Sequence, residues 1–93
     1  MKKIFKEILE MKDSNTKELP LGTQILSVEA QGSNIAVYTL ADIEQKEKVV
    51  YDFRIYGTWR DIGFDLNGYE FLDSIKLNNG HLTGHIFYKI ITK

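Results

Sequence analysis

At 93 residues the chain has room for one domain with one hydrophobic core, so we treat residues 1–93 as a single domain. Its 43% hydrophobic and 27% charged residues are typical of a folded, water-soluble protein and exclude a disordered or membrane-embedded chain. The formal net charge of −1 argues against a general nucleic-acid binder, because a phosphate backbone is recognised by a basic surface.

Residue types that the sequence lacks exclude further classes of function. There is no cysteine, which rules out disulfides, thiolate catalysis and cysteine-based metal sites. No apolar run approaches the length of a membrane span, and residues 1–7 become charged too soon for a signal peptide. We therefore expect a cytoplasmic protein that has no cofactor, no metal and no membrane partner.

The first predicted element is ambiguous between a helix and a strand. Residues 4–9 place apolar side chains at helical spacing, whereas Phe5, Leu9 and Met11 would share one face of a strand. We favour the strand slightly. Residues 13–16, Asp-Ser-Asn-Thr, are predicted to form a loop.

The rest of the chain alternates apolar and polar side chains, which is typical of half-buried strands. The alternating runs are residues 26–31, 35–43, 49–56 and 81–90. Turn-forming residues separate them, namely Pro20-Leu21-Gly22, Gly32-Ser33-Asn34, Glu44–Glu47, Asn67-Gly68 and Asn78-Asn79-Gly80. These spacings predict an antiparallel meander and leave no room for crossover helices.

We predict that this mainly β meander closes into a small barrel or a sandwich and that oligomerisation completes it. A lone meander exposes both a strand edge and an apolar face, which copies of the chain would cover. Residues 81–91 are apolar on both faces, so they form the predicted interface strand. The expected state is a homo-oligomer.

The order of these elements resembles an uncharacterised family of small tailed-phage and prophage proteins. Leu19–Gln31 is similar to its opening strand, Ile55–Thr58 to its Gly-Thr loop and His85-Ile86-Phe87 to its last strand. Trp59-Arg60 departs from the family pattern, which usually has Gly followed by His or a similar residue, so the ligand of this loop can differ. The resemblance brings no established activity and implies a role in the host cytoplasm.

The loop after residues 49–56 carries the first candidate site. Trp59 could stack on a base, Arg60 could pair with a phosphate, and the Thr58 hydroxyl could donate a further hydrogen bond. In the alternative interpretation, Trp59 caps the core and Arg60 pairs with Asp61 or Asp65 on the surface.

The two histidines provide a weaker candidate. His81 and His85 would lie roughly 13 Å apart on a strand, which is too far for one metal ion, so we predict no metal site. His85 could instead donate to an anionic ligand, or simply be a solvated surface residue. Tyr56 lies on the polar phase of its strand and is predicted to be an exposed contact residue. Lys89 completes the candidate set.

No catalytic motif is present, so we predict that the protein is not an enzyme. The first hypothesis is that it sequesters a small anionic, nucleotide-like signal of host defence. The alternatives are a protein-binding inhibitor of a host protein and a minor virion component. The predicted ligand-binding residues are Tyr56, Thr58, Trp59, Arg60, His85 and Lys89.

Overall fold

The computed structural model describes residues 1–92 and contains two antiparallel sheets packed face to face. The strands are β1 (Lys2–Leu9), β2 (Ser14–Pro20), β3 (Gln24–Gln31), β4 (Asn34–Asp42), β5 (Lys48–Gly57), β6 (Glu70–Leu77) and β7 (Leu82–Thr92). A short 3-10 turn, Asn78–Gly80, joins β6 to β7. The prediction of a mainly β sandwich is confirmed, and the ambiguous N-terminal segment is a strand.

Sheet A has the strand order β1-β4-β3, and sheet B has the order β2-β5-β7-β6. Consecutive strands pair in two hairpins, β3–β4 and β6–β7. Three connections pass between the sheets, from β1 to β2, from β2 to β3 and from β4 to β5, whereas β5 and β6 both belong to sheet B and lie on either side of β7. Strand β7 is hydrogen bonded to β5 on one side and β6 on the other, so the predicted interface strand has no free edge to offer.

The core lies between the sheets and follows the predicted alternation. Tyr51, Phe53 and Ile55 point inward from β5, and Phe53 is completely buried. The Tyr51 and Phe53 rings stack with their centroids 6.0 Å apart, and the Tyr88 ring of β7 lies 6.2 Å from Phe53. These aromatic side chains pack with aliphatic residues of both sheets, among them Leu9, Ile35 and Ile86, to form the core.

The predicted loop at residues 13–16 is wrong for residues 14–16, which begin strand β2. The Asn15 side chain accepts a hydrogen bond from the Glu10 backbone N–H (2.9 Å) and donates one to the Glu10 carbonyl (3.0 Å). The amide therefore closes the connection from β1 and leaves its own backbone extended. A turn-type residue in this position satisfies backbone groups instead of forming a turn.

Strand β6 was not predicted. Its pairing with β7 slips between Phe71 and Asp73, which marks a β-bulge. A bulge inserts one extra residue and shifts the period-two alternation, so the apolar pattern on which the prediction rests is interrupted.

Residues 58–69, which we call the cover segment, fold over the outer face of sheet B between β5 and β6. The Phe64 ring lies over the Arg54 guanidinium, 3.5 Å from the ring centroid to Cζ. The Tyr69 hydroxyl donates a 2.6 Å hydrogen bond to the Asp52 carboxylate. Asp52 and Tyr56 consequently become buried although they point away from the core.

Candidate functional site

Trp59 occupies the tip of a tight turn at the end of β5. The turn is closed by a hydrogen bond from the Arg60 backbone N–H to the Gly57 carbonyl (3.2 Å). Trp59 has a φ of +71° and is 96% exposed. A bulky residue in the left-handed region is strained, and such strain concentrates at binding sites. The alternative interpretation, in which Trp59 caps the core, is wrong.

His85 fastens this turn to the outer face of sheet B. Its Nε2 lies 2.7 Å from the Thr58 hydroxyl, and its Nδ1 lies 2.7 Å from the Ser74 hydroxyl. Which hydroxyl donates to the ring and which accepts from it depends on the tautomer of the imidazole. The three side chains link the turn to strand β6 and hold Thr58 in place. Ser74 was not predicted, because a single serine in an unrecognised strand gives no signal.

Arg60 pairs with Asp13 and not with the predicted Asp61 or Asp65. Its Nη2 lies 2.9 Å from the Asp13 carboxylate, which belongs to the connection before β2. Both side chains are at least half exposed. Exposed ion pairs contribute little to stability, so an incoming carboxylate or phosphate could replace Asp13 without much cost to the fold.

Two of the predicted site residues do not join the exposed side chains of the turn. Tyr56 is only 3% exposed, so the prediction that it is an exposed contact residue is wrong, because the cover segment lies above it. Its hydroxyl lies near the Arg54 guanidinium without forming a hydrogen bond of good geometry. Lys89 follows His85 by four residues on β7, and its Nζ lies 5.6 Å from the centroid of the Tyr69 ring. The structure therefore brings Thr58, Trp59, Arg60 and His85 together.

A buried carboxylate lies under the cover segment. Asp52 is 2% exposed and accepts hydrogen bonds from the hydroxyls of Ser14 (2.7 Å) and Tyr69 (2.6 Å) and from Arg54 Nε (2.8 Å). Burial alone raises the pKa of Asp52, but these hydrogen bonds and the Arg54 charge outweigh burial and leave the pKa lowered. Burial and the Asp52 carboxylate raise the pKa of Tyr69. The hydrogen bond from Tyr69 to Asp52 thus holds the cover segment against the outer face of sheet B.

An aromatic row crosses the outer face of sheet B next to the turn. Arg54 on β5 is paired with Phe87 on β7, which is in turn paired with Phe71 on β6. The Phe71 and Phe87 rings meet edge to face at 5.5 Å, and the Phe64 ring covers Arg54. Phe71 is 58% exposed. Tyr56 pairs with His85, and Arg54 pairs with Phe87, so the row lies two residues along the strands from His85.

Three surface cavities of the described residues lie elsewhere. They have volumes of about 420, 560 and 150 Å³ and are lined respectively by the β1–β2 connection, by the two hairpin turns, and by β1 with β2. Within residues 1–92, no group of three or more histidine or acidic side chains is arranged to hold a metal ion. No helix in the same range is long and apolar enough to cross a membrane. Trp59 lines none of these three cavities and projects into solvent.

The family comparison matches nearly the whole chain. The model of the family described as a domain of unknown function, DUF7352, matches residues 1–92, and the chain belongs to this family. No match was found among curated proteins or solved structures. The family description states neither an activity nor an origin, so the resemblance to phage proteins stays a prediction.

Proposed function

We propose that this member of the DUF7352 family is a non-catalytic binding module whose partner is another protein. Its recognition surface comprises Trp59, Arg60, Phe64, Phe71 and Phe87. The observation that carries the proposal is the 96% exposure of Trp59 at a φ of +71°. A fold that served stability alone would not place its one Trp in strained backbone, fully in water.

The shape of the surface favours a protein partner over a small molecule. Small-molecule sites are concave and enclose most of the ligand, whereas Trp59 protrudes. Tryptophan and arginine are the residues most enriched among the side chains that dominate binding energy in protein interfaces. Asp61 and Asp65 are exposed in the cover segment on either side of Phe64 and supply the polar rim that such interfaces have. The partner surface would offer an apolar pocket for Trp59.

The attachment of the turn supports the same interpretation. His85 bonds Thr58 on one side and Ser74 on the other, so the turn is held before a partner arrives. Preorganisation reduces the ordering cost of binding. His85 has no carboxylate partner in these bonds, and none of the three cavities described above is lined by Thr58, Ser74 or His85, so recognition accounts for the arrangement better than catalysis does.

The experiment begins with the full chain as bait in lysate of the source cell, followed by purification of the stoichiometric partner and titration calorimetry. Trp59→Gly should weaken the affinity by roughly thirtyfold or more, because a central interface Trp contributes about 2 kcal/mol or more. Ile43→Ala is the matched control, since Ile43 is an exposed apolar side chain (48%) in the β4–β5 connection. Equal affinity of Trp59→Gly and the native chain would contradict the proposal.

A second candidate is the sequestering of a small anionic nucleotide-like ligand. The exposed Arg60–Asp13 pair favours it, because a phosphate could take the place of Asp13 while a base stacks on Trp59. A second subunit would have to enclose the ligand. A bound nucleotide should raise the melting temperature through mass action, and Arg60→Ala should abolish the rise. No shift across a broad nucleotide panel would remove this candidate.

A further inference from the structure

Strand β1 is an edge strand whose side chains are mostly in water. It is the first strand of sheet A and pairs on one side with β4. Residues 2–6 are all exposed, including Ile4 (60%) and Phe5 (38%). An edge with exposed apolar side chains is a template for pairing with another strand.

We propose that β1 pairs antiparallel with β1 of a second copy of this chain, which joins the two A sheets into one continuous six-stranded sheet. The pairing is centred on Phe5, so that Phe5 lies opposite Phe5 of the second copy. Lys3 of each copy then lies opposite Glu7 of the other. The proposal is independent of the binding function proposed above.

The backbone determines which registers are possible. The Met1 carbonyl accepts a 3.0 Å hydrogen bond from the Ile43 N–H, so odd-numbered residues of β1 direct their backbone groups towards β4. The even-numbered residues, from Lys2 to Ile8, direct theirs outward. In an antiparallel pair outward groups must meet outward groups, so an even residue must face an even residue. Phe5 opposite Phe5 satisfies this rule, with Ile4 facing Lys6.

Charge selects this register among its neighbours. The next allowed register on one side is centred on Ile4 and places Lys2 opposite Lys6. The next one on the other side is centred on Lys6 and places Lys6 opposite Lys6. Like charges directly opposite each other destabilise a strand pair. The Phe5-centred register instead opposes Lys3 and Glu7 twice. It therefore has two favourable charge pairs and no repulsive one.

The same two charges do not meet within one chain. Lys3 and Glu7 lie on one face of β1 roughly 13 Å apart, because four residues of strand separate them. Across the proposed symmetry axis they form non-hydrogen-bonded pairs, in which the side chains approach most closely. Phe5 and Glu7 also line a cavity of about 150 Å³ between β1 and the neighbouring edge strand β2. Sheet B therefore leaves the face of β1 that carries Phe5 partly open to solvent.

Sedimentation equilibrium of the full chain tests the proposal. The native protein should form a dimer, while Glu7→Lys and Lys3→Glu should each weaken the dimer by about tenfold or more, because each converts both charge pairs into repulsive ones. A mixture of the two variants should restore a dimer that contains one copy of each. Lys76→Glu, at the exposed edge strand β6, makes the same charge change elsewhere and should leave the dimer unaffected.

Lys6→Pro provides a second test that does not depend on charge. It removes one outward N–H of β1 and keeps the hydrogen bonds to β4, so the dimer should be lost while the circular-dichroism spectrum stays that of a β protein. A native chain that is monomeric at all accessible concentrations would overturn the proposal. A dimer that survives both single charge variants, or a mixture that fails to recombine, would overturn it as well.

Discussion

Tyr69→Phe tests whether the buried carboxylate holds the cover segment on sheet B. The substitution removes only the hydroxyl that donates a 2.6 Å hydrogen bond to Asp52 and keeps the ring that contacts Phe64 edge to face. A hydrogen bond to a buried charged group contributes about 1.5–3 kcal/mol. We expect Tyr69→Phe to lower the free energy of unfolding by about 1.5–2 kcal/mol, the lower part of this range, since Tyr69 is only partly buried and Asp52 keeps two other donors.

The assay is thermal unfolding of the native chain and the variant, monitored by circular dichroism. A loss of about 1.5–2 kcal/mol corresponds to a fall in Tm of roughly 6–16 °C for a domain of this size. Tyr38→Phe is the control, because it removes a 2.7 Å hydrogen bond to Glu29 that is exposed to solvent, and its effect should be much smaller. Equal stabilities of Tyr69→Phe and Tyr38→Phe would refute the reasoning.

Three further predictions concern acid stability and packing. Because the folded-state pKa of Asp52 is lowered, the ionised carboxylate stabilises the fold fully above the ordinary pKa of 3.8, and this stabilisation is lost as the pH falls through the lowered pKa. Asp52→Asn should therefore flatten the dependence of stability on acid pH, which urea titrations at a series of pH values would measure. Gly84→Ala should cost about 1–3 kcal/mol by chemical denaturation, because the added methyl group would lie 3.1 Å from Ile55 Cγ2 and 3.3 Å from Met11 Sδ; unchanged stability would mean that this contact relaxes freely. Phe53→Ala should lower the free energy of unfolding by about 3–5 kcal/mol in the same assay, and a loss below about 1 kcal/mol would contradict its place at the centre of the core.

The sequence predicted the strands whose alternation is regular. Strands β4 and β5 bury every second side chain against the core, so the period-two pattern is visible along both. Strand β6 escaped prediction because its bulge shifts that pattern, and β2 escaped because its polar residues resemble those of a loop. The sheet order was not predictable, since alternation says which face is buried but not which strands are neighbours.

Part of the candidate site was predictable because it adjoins a strand with regular alternation. Thr58, Trp59 and Arg60 follow a predicted strand directly, so their place on a turn could be inferred from the sequence. The burial of Tyr56 could not be inferred, because it depends on the cover segment returning over sheet B. The same fold-back brings Tyr69 to Asp52, which Ser14 reaches from the neighbouring strand β2, and neither contact is visible in the sequence.

The sheet order also has a consequence for how quickly the chain reaches its native state. The hairpins β3–β4 and β6–β7 can close early, because their partners adjoin in sequence. Strands β1 and β2 pair only with β4 and β5, about 30 residues further along the chain, so their pairing requires the closure of long loops. We therefore expect refolding on the slow, millisecond-to-second scale of all-β domains.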